Sequence, residues 1–176
     1  SVLVQEYERR RTTIAEAFDE LLLAGGSVLP EAQDFEAAFT VAVSHEAILE
    51  TLSPFGHAAT AEVAAALVAL RSGPYHRRLG EVGGRRLLAF LPRMLSIAGS
   101  EVDAPGVVRR VLAIVEAIGT RTAYLALLNE NPLALRRLIE ICRLGNYLPA
   151  QVAAHPLLLD ELVDPRLFDA PPERAQ

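Results

Sequence analysis

The sequence predicts an all-α fold: a multi-helix bundle of roughly eight or nine helices, several of them short, in a helix-turn-helix rhythm. Three observations predict it. Apolar residues make up 51% of the 176-residue chain, but aromatics only 6%, and tryptophan is absent. The core must therefore be built from Leu, Ala, Val and Ile, which suits packed helices better than a sandwich of sheets. The apolar residues recur at spacings of three, four and seven. Glycine, proline and asparagine break these stripes at short intervals, and no alternating run of useful length suggests a strand.

The elements follow in order. Residues 2 to 24 read as one helix, with Val4, Tyr7, Ile14, Phe18, Leu21 and Leu22 largely on one stripe and Gly25-Gly26 as its stop. Arg9, Arg10 and Arg11 interrupt that stripe, either as a solvated face paired with Glu6, Glu8 and Glu16 or as a docking surface for a neighbouring domain. Pro30 and Glu31 open a second helix running to about Leu52, with Phe35, Phe39, Val43, Ala47 and Ile48 as its apolar row. Ser53 to Gly56 is a turn by composition. Thr60 caps a third helix that carries Glu62 in its first turn and ends at Ser72-Gly73-Pro74.

A short piece holds Tyr75 to Leu79, and Gly83-Gly84 precedes a helix from Arg85 to Ala98. Pro92 inside that helix predicts a kink, or two abutting helices. Gly99 to Pro105 is a loop, Val107 to Ile118 a helix ended by Gly119, and Thr120 a cap for the helix bearing Tyr124, Leu125, Leu127 and Leu128. That helix stops at Asn129-Glu130-Asn131. Pro132 suits the first position of the next, which runs from Leu133 to Leu144. Residues 147–154 and 157–163 are two further short helices, Pro156 opens the second, and a proline-rich acidic tail from Asp164 frays.

Composition also bounds the function. The net charge is −5, and arginine supplies all 17 cationic side chains. No basic excess exists of the kind a nucleic-acid binder carries, so no nucleic-acid partner is expected. The single Cys142 cannot form an internal disulfide and fits a reducing compartment. No uncharged apolar run reaches the ~18 residues of a membrane span. The chain opens on a charged helical pattern rather than a signal peptide. With no initiator Met, it reads as a cytoplasmic piece cut from a longer polypeptide.

The search for chemistry yields little. His45, His57, His76 and His155 have no metal-ligand spacing. His45-Glu46 starts like a zinc-protease helix, but Leu49 stands where the second histidine belongs. All four read as surface histidines, with His155 packing or capping at a helix junction. Cys142, among Leu138, Ile139, Ile141 and Leu144, reads as a buried small side chain. Asp160 and Asp164 stand one helical turn apart, which suits a solvated helix end better than a cation site. Gly83-Gly84-Arg85-Arg86 has the look of an anion nest at a helix start. The concentrated basic patch comprises Tyr75, His76, Arg77, Arg78, Arg85 and Arg86. The expected interaction surfaces are therefore Arg77, Arg78, Arg85 and Arg86, suited to an acidic partner, and the acidic helix end at Asp160 and Glu161.

The run AYLALLNENPLALRRLIEICRLGNYLPAQVAAHPLLLDELVDPRLF, from Ala123 to Phe168, resembles the bifunctional glutamine synthetase adenylyltransferase/adenylyl-removing enzymes. His155 to Leu162 followed by Asp164-Pro165 is the most specific part. Ala123-Tyr124-Leu125 and Glu130-Asn131-Pro132 stand at the right distance from it. Arg85 to Pro92 and the helix after Asp103 fit more loosely, and the opening helix is similar to the last helix behind the family's first nucleotidyltransferase unit.

The resemblance implies a parent with two nucleotidyltransferase units. One attaches AMP from ATP to glutamine synthetase and the other removes it, under control of PII signal protein and glutamine. It also implies that each unit carries a Gly-Ser turn and two strand-borne aspartates holding Mg²⁺. Gly99-Ser100-Glu101-Val102-Asp103 mimics that turn with a single aspartate. The resemblance therefore implies no catalytic, cofactor-binding or metal residue in this chain.

The organisation expected is a helix over 1–26 continuing from the preceding nucleotidyltransferase half, a helical connecting and regulatory domain over 27–168, and a flexible tail over 169–176. A free-standing helical protein–protein adaptor remains the alternative, and a helical nucleic-acid binder a third option that the charge disfavours.

Overall fold

A computed structural model of the chain describes residues 2, 5, 30–41 and 44–161. The chain divides into two units, Ser1–Gln33 and Asp34–Gln176. The account below is of the second, where nearly all described residues lie. The expected opening helix, apart from positions 2 and 5, lies outside the described residues, as do the arginine triplet and the tail from Asp164.

Ten α-helices are found among the described residues, eight of them seven residues or longer, and no strand. They are α1 (Pro30–Val41), α2 (His45–Thr51), α3 (Ala61–Ser72), α4 (Pro74–Arg78), α5 (Gly80–Ala98), α6 (Ala104–Ile118), α7 (Ala123–Glu130), α8 (Pro132–Arg143), α9 (Tyr147–Ala154) and α10 (Leu158–Glu161). A 3₁₀ segment, Ser53–Ala58, joins α2 to α3. The expected all-α bundle is what forms.

Local chemistry explains the starts. Ser44, Thr60, Asp103 and Asn131 each accept, through a side-chain oxygen, the N–H three residues on, at 3.1, 3.2, 3.2 and 3.1 Å. Each cap satisfies a donor that the first turn leaves orphaned. Thr60 and Pro132 behave as the sequence predicts. Ser44 does not: the helix expected to run from Pro30 to Leu52 is broken, because Ser44 takes an extended conformation (φ −89°, ψ 146°) and starts α2 afresh. Asp103 likewise starts α6 at Ala104, so Pro105 belongs to its first turn instead of the expected loop. Thr120 caps nothing; α7 begins after Thr122.

The longest element, α5, departs most from expectation. It begins at Gly80, so Gly83 and Gly84 lie inside it rather than before it. Gly83 is buried, and a β-carbon there would stand 2.8 Å from Thr122 Cγ2 and 3.1 Å from Leu79 Cβ. The glycine serves the close approach of α5 to the α6–α7 turn, not a turn of its own. Pro92 is buried within α5, which runs through it as one helix rather than two.

Packing centres on α6. Nine of its 15 residues are buried, from Ala104 and Val107 through Val111, Ile114 and Val115 to Ile118. It packs against the 3₁₀ segment, α3, α5, α8 and α9. In turn α5 buries Leu87, Phe90, Leu91, Met94 and Leu95 against the 3₁₀ segment, α7, α8 and α6. Phe35 and Phe39 of α1 stack at 5.7 Å, and Phe35 meets Phe55 edge-on at 6.3 Å. With Phe90 and Tyr75 they are the aromatic rings of a core made mostly of aliphatic side chains.

Where the 3₁₀ segment crosses the end of α5, backbone meets backbone. The His57 N–H donates to the Gly99 carbonyl at 2.9 Å. Gly56 sits at φ +55°, and a β-carbon on Gly99 would lie 2.0 Å from the Phe55 carbonyl oxygen. The composition reads this stretch as a turn, but it is a buried crossing that no side chain at Gly99 can share. Gly99→Ala is expected to destabilise the chain by about 2–3 kcal/mol. Its urea unfolding midpoint, compared with that of Gly84→Ala, where a β-carbon meets nothing within 4 Å, checks this.

Candidate interaction surface

The arginines expected to form one basic patch do several different things. Arg77 folds back on the end of α3, donating to the Ser72 and Gly73 carbonyls at 3.3 and 3.4 Å. Arg85 is exposed and pairs weakly with Glu81 at 4.0 Å. Arg86 is half-buried and donates to Thr122 Oγ1 at 3.1 Å, while its carbonyl accepts from Asn129 Nδ2 at 3.0 Å. Arg93 donates to the Asn129 carbonyl beside it. Together these bonds tie α5 to α7. Arg78 is exposed. The patch is thus divided between structural straps, an exposed ion pair and Arg78, which no hydrogen bond or ion pair engages among the described residues, a division that sequence spacing alone cannot express.

The proposed anion nest at Gly83-Gly84 does not form, since amides inside a helix are engaged in its own bonds. Two hollows lie instead on either side of the Gly119–Thr122 turn. One, of about 690 Å³, is lined by Tyr75 and Arg78 of α4, Glu116 of α6, Thr120 and Arg121 of the turn, and Ala153, Ala154 and Pro156 near the end of α9. The other, of about 750 Å³, is lined by Arg86, the same Thr120 and Arg121, Tyr124 and Asp160. The structure therefore brings Arg86 and Asp160 to one rim, while Glu161 is exposed beside it. Sequence reasoning missed Glu116 and Arg121. The signal available was Gly119, whose φ of +62° ends α6 and turns the chain just before Arg121, which lines both hollows.

Tyr75 is only 9% exposed, and its hydroxyl has no hydrogen-bond partner among the described residues. Burial, with the Glu116 carboxylate adding to it, pushes the phenol up to about 12, so it stays a protonated donor. Cys142 is pushed up to about 12 by burial, against the pull of Arg110, which makes it a core residue and no nucleophile.

His45, His57 and His155 are exposed, as expected. His155 ends α9 through its backbone, whose N–H donates to the Gln151 carbonyl at 2.9 Å. His76 is a correction: it is half-buried, edge-on to Phe39 at 5.9 Å, and its Nδ1 lies 3.3 Å from an Arg71 nitrogen. Arg71 also donates to the carbonyls of Phe39 at 3.0 Å and Thr40 at 3.4 Å. One guanidinium thus holds the end of α1 against α3 and α4.

The residues do not fit the Mg²⁺-holding turn that Gly99 to Asp103 mimics. The Asp103 carboxylate caps α6 and faces Arg110 at 3.7 Å, and Glu101 pairs with Arg143 at 3.8 Å. Among the described residues no group of three His, Cys, Asp or Glu side chains could hold a metal ion. No helix there is long and apolar enough to cross a membrane. Asp164, the partner weighed for Asp160, lies outside the described residues.

An all-helical body with polar straps at its rim and two shallow hollows defines a helical packing module. No protein-family model matches the chain. Curated relatives do. The chain is 41% identical over 169 residues to the bifunctional glutamine synthetase adenylyltransferase/adenylyl-removing enzyme of Pseudomonas putida, a match of 92% of this chain and 16% of that protein. It is 39% identical over 157 residues to the enzyme of the same name from Pseudomonas syringae pv. tomato, covering 87% of this chain and 15% of the relative. The Chromobacterium violaceum enzyme is 34% identical over 122 residues. The chain belongs to this family by sequence and spans about a sixth of the length of the curated relatives it matches.

Because Arg71 needs His76 Nδ1 as an acceptor, the imidazole must be neutral. Burial first, and the Arg71 charge second, hold its pKa below the ordinary value. The unfolded chain then takes up a proton at His76 that the folded chain resists. The sign follows: full stability above the unfolded pKa of about 6.5, and loss as the pH falls from there towards the lower folded value. His76→Gln, which keeps an acceptor but does not titrate, is expected to flatten the dependence of the urea midpoint on pH across that window.

Proposed function

We propose that this chain is a non-catalytic helical connecting segment of the bifunctional enzyme that adenylylates and deadenylylates glutamine synthetase. In this reading it links and orients two nucleotidyltransferase units fused to its ends. The observation that carries the reading is the match of 92% of the chain to 16% of the Pseudomonas putida enzyme, with every described element helical. A body packed around α6 offers fixed relative positions for whatever is joined to it, since packed interiors transmit displacement rather than absorb it. The Asp103 carboxylate, the one aspartate in the mimic of the Mg²⁺ turn, is engaged in capping.

ATP and Mg²⁺ belong in this reading to the flanking units, and the setting is cytoplasmic. Glutamine synthetase and PII signal protein are partners of the whole enzyme. Effector binding elsewhere would shift the balance of the two activities by favouring one arrangement of the units about this segment. The helical domain over 27–168 is the connecting element, with residues 1–26 as the approach from the first unit and 169–176 as the exit.

Incubating the 176-residue chain with ATP, Mg²⁺ and glutamine synthetase is expected to leave the synthetase unmodified. Incorporation of labelled AMP above the level of a chain-free control would overturn the non-catalytic assignment.

A further inference from the structure

We propose that an exposed apolar corner of the bundle, formed by Val102, Leu144, Tyr147 and Leu148, is the seat of the nucleotidyltransferase unit that precedes this segment in the longer polypeptide. The inference rests on the connecting role proposed above and adds where on the segment that unit is held.

A net of polar bonds builds the corner. Arg110, in the second turn of α6, donates to Asn146 Oδ1 at 2.6 Å and to the Cys142 carbonyl at 2.8 Å, and faces the Asp103 carboxylate at 3.7 Å. Arg143 faces Glu101 at 3.8 Å. The loop from Gly99 to Asp103 is thereby tied to the turn between α8 and α9. Val102 stands between the two tied acidic residues, and Leu144, Tyr147 and Leu148 follow Arg143 and flank Asn146. Val102 is 91% exposed, Leu144 68%, Tyr147 75% and Leu148 44%.

Single apolar side chains scattered over a surface need no explanation, but four held in one corner do. From Leu144 to Leu159 the chain has no Asp, Glu or Arg. Charge stands at the edge instead, in the Arg143–Glu101 pair. A centre depleted of charge, an accessible tyrosine and a polar rim are the anatomy of a protein–protein contact. The net fixes the backbone of the corner beforehand, so little ordering is left for an occupant to impose.

Size selects the kind of occupant. The four side chains expose on the order of 500 Å², short of the ~800 Å² that each partner buries in a standard stable interface. A second copy or a freely diffusing partner would be held weakly there. A unit on the same chain is held by its tether at a high effective concentration and needs less area. The Pseudomonas putida relative leaves ample chain for such a unit, since the match covers 16% of it.

Direction selects which unit. Phe35, in the first half of α1, meets Phe55 at 6.3 Å, and the Phe55 carbonyl lies against Gly99, where the loop to Val102 begins. Arg71 holds the other end of α1 beside His76 of α4, and Tyr75 of α4 shares a hollow with Glu116 in the last turn of α6. The first half of α1 therefore lies at the end of the bundle where α6 starts and the corner stands. The last described helix, α10, places Asp160 beside Arg121, past the opposite end of α6. The chain arrives on the side of the corner and departs from the other, which favours the preceding unit over the following one.

The test is photo-cross-linking in the full-length polypeptide that contains this chain, with Tyr147→benzoylphenylalanine as the probe and Arg85→benzoylphenylalanine, near the far end of α5, as the control. Mass spectrometry of the cross-linked peptides is expected to join position 147, and not position 85, to the preceding nucleotidyltransferase unit. Leu144→Glu, at a side chain 68% exposed and so tolerated by the fold, is expected to cut that yield about tenfold by placing a charge in the contact. Cross-links to the following unit, links between two molecules, no cross-link at all, or an unchanged yield in Leu144→Glu would each contradict the inference. Such a failure leaves the connecting role standing, because that role is judged separately by the AMP-incorporation measurement.

Discussion

Burial of α6 on almost every side is the constraint on which the rest of the structure depends. Its valines, leucine and isoleucines cannot be dried by one neighbour, because apolar residues occupy more than a single stripe of the helix. The chain therefore has to wrap it: α3 and the 3₁₀ segment from one part of the sequence, α5 from the next, and α8 and α9 from beyond it. Each buried aliphatic side chain contributes about 1.5–3 kcal/mol of transfer free energy, which outweighs any single polar contact at the rim. The short, weakly helical pieces α2, α4 and α10 persist because the core they cover holds them, not because segments of such length are stable alone.

Arginine has a particular use in this fold. The guanidinium of Arg71 reaches the carbonyls at the end of α1, that of Arg77 the end of α3, that of Arg93 the end of α7, and that of Arg110 the Cys142 carbonyl at the end of α8. Helix C-termini expose carbonyls without partners and carry partial negative charge, so a cation with several fixed donors suits them well. Arg110 adds a bond to Asn146 Oδ1 at 2.6 Å and joins α6 to the start of α9. An ammonium has the charge but not the fork. This gives a physical use for a chain whose cationic side chains are all arginine.

Much of the fold was legible because its signals are local. Thr60 and Pro132 announce helix starts through their own side chains. Gly119 announces a stop, and Cys142 sits within an apolar stripe that places it inside. The failures are non-local. Nothing near Ser44 distinguishes a cap from a helical serine without knowing that α2 must turn to meet α3. Gly83 reads as a helix stop until Thr122, far along the chain, is seen to fill the space a side chain would need. The interaction surface suffered in the same way. Arg77, Arg78, Arg85 and Arg86 are neighbours in sequence, but folding turns two of them onto backbone and hydroxyl partners, and it brings Arg121 and Glu116 to the hollow instead.

A connecting segment can set the relation of its neighbours only if it holds its own shape. The account therefore rests on α6 and its surroundings opening as one cooperative unit. Native-state hydrogen exchange as a function of denaturant tests this most directly. Amides in the middle of α6, in α5 around Leu91 and at His57, whose N–H meets Gly99, are expected to share one opening free energy equal to that of global unfolding. Exchange of the α8–α9 amides or of the His57 amide at much lower free energy, with α6 still protected, would show separately opening parts and contradict the account.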